Sequence, residues 1–387
     1  MEYNKYCNTK GGTYLIKLIC TILFCGFSFV YLYFYQADIL AVAQHILSNG
    51  ATTYNDLIGA LIITVIFKLI QVGISSFFYA NDDIYALTYF PSAVLLSILS
   101  SISITDRGFI AMGHGPWLSV VLLVLWLLGC IIYKRRILNH TKVCTNSKIF
   151  PLVLWRNLMI LSLIFLFVGL SGNNNTLIHY RLRIESYMVE NQFSSALKVG
   201  ERSQESDAWL TMLRIYAMAR EGKLADELFQ YPISSTSSSD IIPMENSVRC
   251  LLYPNDSIYK FLGARPLKPM NSVLFLQSLL HSGLATNSVK DYLLCGFLID
   301  KNLDDFVKNL PKYYNINGKL PKHYREALTL YTHIRSNPTI VYHDDIMDTD
   351  YEDMKTLEKK YKSVAARKFA IHDQYAGTYW WYYEYGY

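Results

Sequence analysis

The sequence predicts an all-α protein in two parts: five transmembrane helices, then an extracytoplasmic α-helical domain of tetratricopeptide-like or α-solenoid type. Three observations predict it. Of 387 residues, 52% are hydrophobic and 17% charged, whereas an average soluble chain is roughly a quarter charged. That deficit sits in residues 1–175, with 11 Lys and Arg against 6 Asp and Glu; residues 176–387 carry 25 of each. Beyond residue 175 the pattern is helical segments broken by Pro, Gly and Ser, without a long alternating run of β-branched residues. This composition excludes a disordered or highly charged chain. The net charge of +5 lies wholly in the apolar part, where it reads as an orientation signal and not as a nucleic-acid footprint, so no nucleic-acid partner is expected.

A membrane domain is expected over residues 1–172. A span needs about 20 mostly apolar residues, and five stretches qualify: Tyr14–Tyr35, Leu57–Tyr79, Ile84–Ile104, Pro116–Tyr133 and Phe150–Leu170. The first follows Lys5 and Lys10, and Ala41-Val42-Ala43 resembles a cleavage site. Its apolar core exceeds the roughly 7–15 residues of a signal peptide, so it reads as an uncleaved anchor. Basic residues cluster before span one and between spans four and five (Lys134, Arg135, Arg136, Lys142, Lys148), while the loop 36–56 has none. The positive-inside rule then places the N-terminus in the cytoplasm and the domain 176–387 outside, which in a bacterium is the periplasm. The bilayer is one expected partner.

Two features of this half point toward chemistry. In the loop after span one, Ile39, Leu40, Ala43, Ile46 and Leu47 recur at helical spacing and predict an amphipathic helix on the outer surface. Integral-membrane glycosyltransferases that use lipid-linked sugars place an acid in that loop, and Asp38, then Asp56, are the matching candidates for a base or metal ligand. Lys68 lies mid-span, at a depth that costs about 2.5–3.5 kcal/mol on insertion scales. Thr64, Lys68, Gln71 and Ser75 share one helical stripe, opposite five serines of span three (Ser92, Ser97, Ser100, Ser101, Ser103). This polar seam reads as glue between two helices, as an ion pair with a partner subunit of a transport complex, or as a proton path.

Gly172–Thr176 is a polar hinge. Tyr180, Tyr187 and Ala196 are matched 29 residues later by Trp209, Tyr216 and Ala225. This is similar to the tetratricopeptide pattern, in which aromatic bulk on one helix meets a small residue on the next. The units cover residues 180–232. The spacing is shorter than the usual 34, Gly200 stands where an aromatic is expected, and two units are fewer than the usual three. A Ser-rich break follows at 233–240. Helices are predicted near Asn246–Leu252, Asn271–Gly283, Ser288–Ile299, Leu303–Tyr313, Pro321–Arg335 and Tyr351–His372. Such stacks expose a concave face that binds proteins, so a protein partner in the periplasm or membrane is expected.

Catalytic signatures are missing from the sequence: no HExxH, Cys-x-x-Cys, GxxxxGK[ST], GxGxxG or GxSxG. No cofactor or metal is expected. The acidic run 343–353 lacks the central Gly of an EF-hand and has Lys359 where its last ligand belongs; acids before a helix complement its dipole. Cys250 and Cys295 are either a disulfide or two buried thiols. Residues 379–387, with Trp380 and Trp381, hold seven aromatics in nine positions and suit a cap on the helical array, a membrane-interface contact or stacking on sugars.

The segments Leu320–Tyr331 (LPKHYREALTLY) and Thr378–Tyr383 (TYWWYY) resemble blocks of an uncharacterised family of Bacteroidetes-type membrane proteins, which also joins several spans to a helical-repeat region. The resemblance implies an inner-membrane protein and brings no activity with it. Asp256-Ser257-Ile258 is similar to a three-residue O-glycosylation acceptor of such bacteria, a match short enough to arise by chance. The sequence-level expectation is a scaffold and not an enzyme.

Overall fold

A computed structural model describes residues 9–78, 82–104, 110–112, 115–137, 150–233, 237–244 and 250–386. Lys5, Cys7, Tyr79, Arg107, Lys142, Cys144 and Lys148, part of the Ser-rich break, and most of the helix expected at 246–252 lie outside the described residues. The chain divides into two compact units, Met1–Asn175 and Thr176–Tyr387.

The first unit runs α1 (Thr9–Val30), a π-helical turn (Tyr31–Tyr35), α2 (Ala37–Leu47), α3 (Asp56–Phe78), a 3-10 segment (Asp82–Tyr89), α4 (Phe90–Ser100), strands β1 (Ile102–Ile104) and β2 (Ile110–Met112), α5 (Gly115–Ile137) and α6 (Phe150–Ser171). Among the described residues three helices are long and apolar enough to cross a membrane: Tyr14–Tyr35, Asp56–Ser76 and Leu152–Ser171. Their outward faces are greasy; Leu61, Ile62, Val65 and Leu69 of α3 and Met159, Leu163 and Leu166 of α6 are about half exposed or more. Inward, α1, α4 and α6 share one core, in which Phe24 meets Tyr89 and Phe27 stacks on Phe165 at 4.0 Å.

The stretch expected as span three departs from a single helix. It begins as 3-10, kinks at Ile84 (φ −132°, ψ 28°), becomes α-helical at Phe90 and stops at Ser100. Pro91 in the first turn of α4 sets where the α-helix starts. At the other end Ser100 and Ser101 fold their hydroxyls back onto the carbonyls of Ser97 and Ile98. Ile102–Ile104 then pairs antiparallel with Ile110–Met112, a small exception to the all-α expectation. Asn157 of α6 supports the kink by accepting the Ala86 N–H at 2.7 Å. The apolar stretch Ile84–Ser100 is shorter than those three.

The second unit is helical among the described residues. Its helices are α7 (Thr176–Val189), α8 (Phe193–Lys198), α9 (Ala208–Glu221), α10 (Leu224–Glu227), α11 (Asn255–Leu262), α12 (Ser272–Ser282), α13 (Val289–Ile299), α14 (Leu303–Asn309), α15 (Lys322–Ile334), α16 (Asp345–Lys360), α17 (Val364–Tyr375) and α18 (Tyr379–Tyr385). Local chemistry sets many of the boundaries. Asp207, Asn271, Asn302, Asp344 and Thr378 cap α9, α12, α14, α16 and α18 by accepting a backbone N–H. Gly222 and Gly283 end α9 and α12 at positive φ. The acids Asp344, Asp345 and Asp348 thus open a helix. The single helix expected over 351–372 is two, broken at 361–363, where Tyr361 is extended. Residues 250–252 are not helical; the helix there starts at Asn255.

Consecutive helices pack as pairs, α7 with α8, α9 with α10, α12 with α13 and α15 with α16. Helix α13 is the hub: Val289 and the whole run Tyr292–Ile299 are buried. Helices α7 and α9 are each 14 residues long and start at Thr176 and Ala208. Tyr180 is therefore the fifth residue of its helix, but Trp209 is the second of its own. Gly200 sits at φ +61° with the Tyr180 ring against it, so a side chain there has no room.

Gly263 makes the tightest backbone approach. At φ +122°, an added Cβ would lie 2.0 Å from the Leu284 carbonyl oxygen. Gly263→Ala is expected to cost at least ~2 kcal/mol and to lower the thermal midpoint of the detergent-solubilised chain by about 5 °C or more. Gly222→Ala, at φ +72° with open space around its Cβ, adds backbone strain without a clash and should shift it less.

Candidate functional site

Each unit has a polar network in its interior. In the first, Lys68 of α3 donates to Gln71 Oε1 at 2.8 Å, Thr21 Oγ1 at 2.9 Å and the Tyr89 hydroxyl at 3.3 Å. An ammonium has three protons, and each has an acceptor. The fully buried Gln71 passes the network on, donating to Thr88 Oγ1 at 2.8 Å and the Tyr85 hydroxyl at 3.0 Å. Thr21 and Tyr89 are bonded to each other at 2.8 Å, and the ammonium lies 5.4 Å from the Tyr89 ring centre. Among the described residues no carboxylate lies within ion-pair distance of Lys68.

Lys68 and Gln71 do come together, but their partners differ from those the stripe pattern suggested. They are Thr21 of α1 and the hydroxyls of the 3-10 segment, not the serines of α4. Ser92 reaches α3 only at the Phe67 carbonyl, and Ser97 pairs with Ser119 of α5. The 3-10 winding of residues 82–89 turns Tyr85, Thr88 and Tyr89 inward, and a periodicity count that assumes one continuous α-helix misplaces them. Asp38 and Asp56 lie in the first turns of α2 and α3; the structure brings neither to the Lys68 network.

The second centre is built on α15. His323 and Glu326, three residues apart on one helix face, are both buried. The Phe229 N–H donates to His323 Nε2 at 3.3 Å, so that nitrogen is bare and the ring proton sits on Nδ1. Nδ1 donates to Glu326 Oε2 at 2.8 Å, and the same oxygen accepts the Tyr379 N–H at 2.8 Å. Trp380 Nε1 donates to the Glu326 carbonyl at 2.7 Å. Lys322 closes the edge, reaching the Gly377 carbonyl at 3.1 Å and Glu326 Oε1 at 3.8 Å. The Phe229 ring packs on His323, Tyr379 and Tyr382. An imidazole–carboxylate pair is base-like chemistry, but with no exposed edge and backbone partners on both sides this one joins α15, α18 and the chain at residue 229.

Residues 379–385 are held as firmly elsewhere. Trp380 and Trp381 are 2% and 1% exposed. The Tyr382 hydroxyl donates to the Ile299 carbonyl at 2.7 Å, and Lys301 donates to the Tyr383 carbonyl at 2.8 Å. Interface anchoring or sugar stacking needs open ring faces, and these two indoles have none.

Residues 264–386 match a family of unknown function, DUF6057. The match covers just under a third of the chain. No curated protein and no solved structure matches it. The DUF6057 region contains both segments singled out in the sequence, LPKHYREALTLY and TYWWYY, and the Glu326 contacts are what join them. One such block supplies His323 and Glu326, the other Tyr379 and Trp380.

Other buried groups escaped the sequence reading. Glu185 of α7 accepts Trp209 Nε1 on Oε1 at 3.1 Å, and on Oε2 the N–H groups of Leu251 (2.7 Å), Leu252 (2.6 Å) and Tyr253 (3.1 Å). Burial pushes its carboxyl up to about 7, against those four donors, which favour the charged form. Arg214 of α9 donates to the carbonyls of Val199 and Gly200, at the end of α8, and lies over the Tyr231 ring. Nothing in local sequence marks either residue as special, because their partners are backbone groups far along the chain.

The repeat positions serve this interior. Tyr216 shares a hydroxyl contact with Tyr253 at 2.8 Å, Ala196 and Ala225 are buried, and Tyr180 and Tyr187 are half-buried against the core. Cys250 and Cys295 are free thiols, Cys295 lying 3.8 Å from the Tyr324 hydroxyl. Among the described residues no group of three or more His, Cys, Asp or Glu is placed to hold a metal ion.

Proposed function

We propose that the chain is a five-span bacterial inner-membrane protein with a cytoplasmic N-terminus, whose periplasmic, tetratricopeptide-like helical domain is a protein-interaction or assembly scaffold in the cell envelope. The observation that carries this reading is the architecture of the second unit: helix pairs packed one after another around α13. Such stacks bury one side of each helix and leave the other as an extended surface for a protein partner. The interior polar groups favour the same reading. Glu185, His323 and Glu326 spend their bonds on the domain's own backbone and side chains, which leaves recognition to the surface. Lys68 has all three of its protons engaged within its own chain, which favours helix glue over pairing across a transport interface.

Cross-linking of the full-length protein in its native membrane, followed by mass spectrometry, tests the proposal. The expected result is one or a few proteins linked reproducibly through surface lysines of residues 176–387. Recovery of no specific partner counts against the scaffold.

A further inference from the structure

The corner between α16 and α17 is chemically unlike the rest of the second unit. Between Glu358 and Asp373 the chain has no acid, but it carries Lys359, Lys360, Lys362, Arg367 and Lys368. Residues 359–366, 368 and 369 are exposed. None of the five cations has a carboxylate within ion-pair distance among the described residues, whereas nearby Lys355 is paired with both Glu358 and Glu384. Apolar side chains stand between the charges: Tyr361 is 40% exposed, Val364 63% and Phe369 75%. Of all α17, only Ile371 is fully buried.

Helix electrostatics accounts for part of this pattern only. Lys359 and Lys360 end α16, where cations complement the dipole. Lys362 lies beyond that helix. Arg367 and Lys368 sit in the N-terminal half of α17, where the dipole opposes cations. Lys368 lies over the Trp381 ring at 5.7 Å, so Lys362 and Arg367 are the cations whose placement neither a helix end nor a ring contact accounts for. Cations without carboxylate partners, interleaved with outward aromatic and aliphatic groups, are what a membrane interface binds: the charges take headgroup phosphates, and the apolar groups enter the acyl boundary. A soluble acidic partner would satisfy the cations but not Phe369.

We propose that the 359–369 corner docks on anionic phospholipid headgroups of the bilayer that holds the protein. The proposal rests on the membrane-anchored reading above. Each cation near an anionic surface multiplies association by about five, so removing three is expected to weaken docking about a hundredfold.

The test is peptide-resolved hydrogen–deuterium exchange on the full chain in nanodiscs. One set is pure phosphatidylcholine, and the other contains about a third phosphatidylglycerol. Entry into the discs reports anchoring independently; a chain that never enters them fails the anchoring reading and the docking with it. Exchange over residues 359–369 is expected to slow severalfold in anionic discs and to recover at high salt. The triple variant Lys359→Gln, Lys360→Gln, Lys362→Gln should abolish the slowing, and Phe369→Ser should reduce it, while exchange in α13 stays unchanged as the check on folding. Equal exchange in both discs, or slowing produced only by added heparin over phosphatidylcholine discs, overturns the proposal, the latter in favour of a soluble polyanion.

Discussion

Glu326→Leu is expected to destabilise the second unit by ~3–5 kcal/mol, whereas Glu326→Gln should cost far less. Leucine fills the space but leaves the His323 Nδ1–H and the Tyr379 N–H facing apolar atoms, and stranded buried donors carry nearly their full desolvation cost. Both donors use the same oxygen, Oε2. A glutamine oxygen in that place keeps both bonds, and its NH2 takes the Oε1 position. Thermal unfolding in detergent reads the difference. Limited proteolysis localises it, since loss of Glu326 should free residues 376–386 before the rest of the unit. Equal stability of the leucine variant and the parent would mean that the joint contributes nothing.

Glu185→Gln is expected to be the harsher amide substitution, at ~2–3 kcal/mol. Here the donors fall on both oxygens, three backbone N–H groups on Oε2 and the Trp209 indole on Oε1. A glutamine has one oxygen, so its NH2 must face a donor whichever way it turns. This group also makes stability depend on pH. Its folded carboxyl titrates at about 7, above the ordinary value of 4.5. Between those two values the folded chain keeps a proton that the unfolded chain has released. Its contribution is therefore fully present at low pH and is lost as pH rises through that window. Unfolding midpoints measured from pH 4.5 to 7.5 should fall more steeply for the parent than for the glutamine variant. Parallel curves would contradict the assignment.

The contrast between these two glutamates shows what was legible. Both stand in helices that read clearly from sequence, and the segment holding Glu326 stood out as a block. Its partner block, TYWWYY, stood out too. That the two touch was not legible, because residues 326 and 380 are brought together by the packing of α18 against α15 and α17. The Lys68 stripe teaches the same lesson in the membrane unit. A mid-span lysine announces a need for partners, and Gln71 at i+3 is a partner that helical spacing supplies. Tyr85, Thr88 and Tyr89 come from a 3-10 segment whose winding no period-3.6 count describes. Capping is local by contrast: Asp344, Asn271 and Thr378 act on N–H groups two or three positions away.

Sequence alone determined that the first 175 residues are apolar and that the rest reads as helical; of the five spans it led us to expect, three are helices long and apolar enough to cross a membrane among the described residues. Those properties depend on composition, run length and spacing within a few residues. Tertiary structure alone decided the kinked Ile84–Ser100 stretch, the burial of the tryptophans and the use of Glu185 and Glu326 as joints. The physical reason is range. Hydropathy and capping act between neighbours along the chain, whereas a buried carboxylate is satisfied by whatever backbone donors the fold carries to it from many residues away.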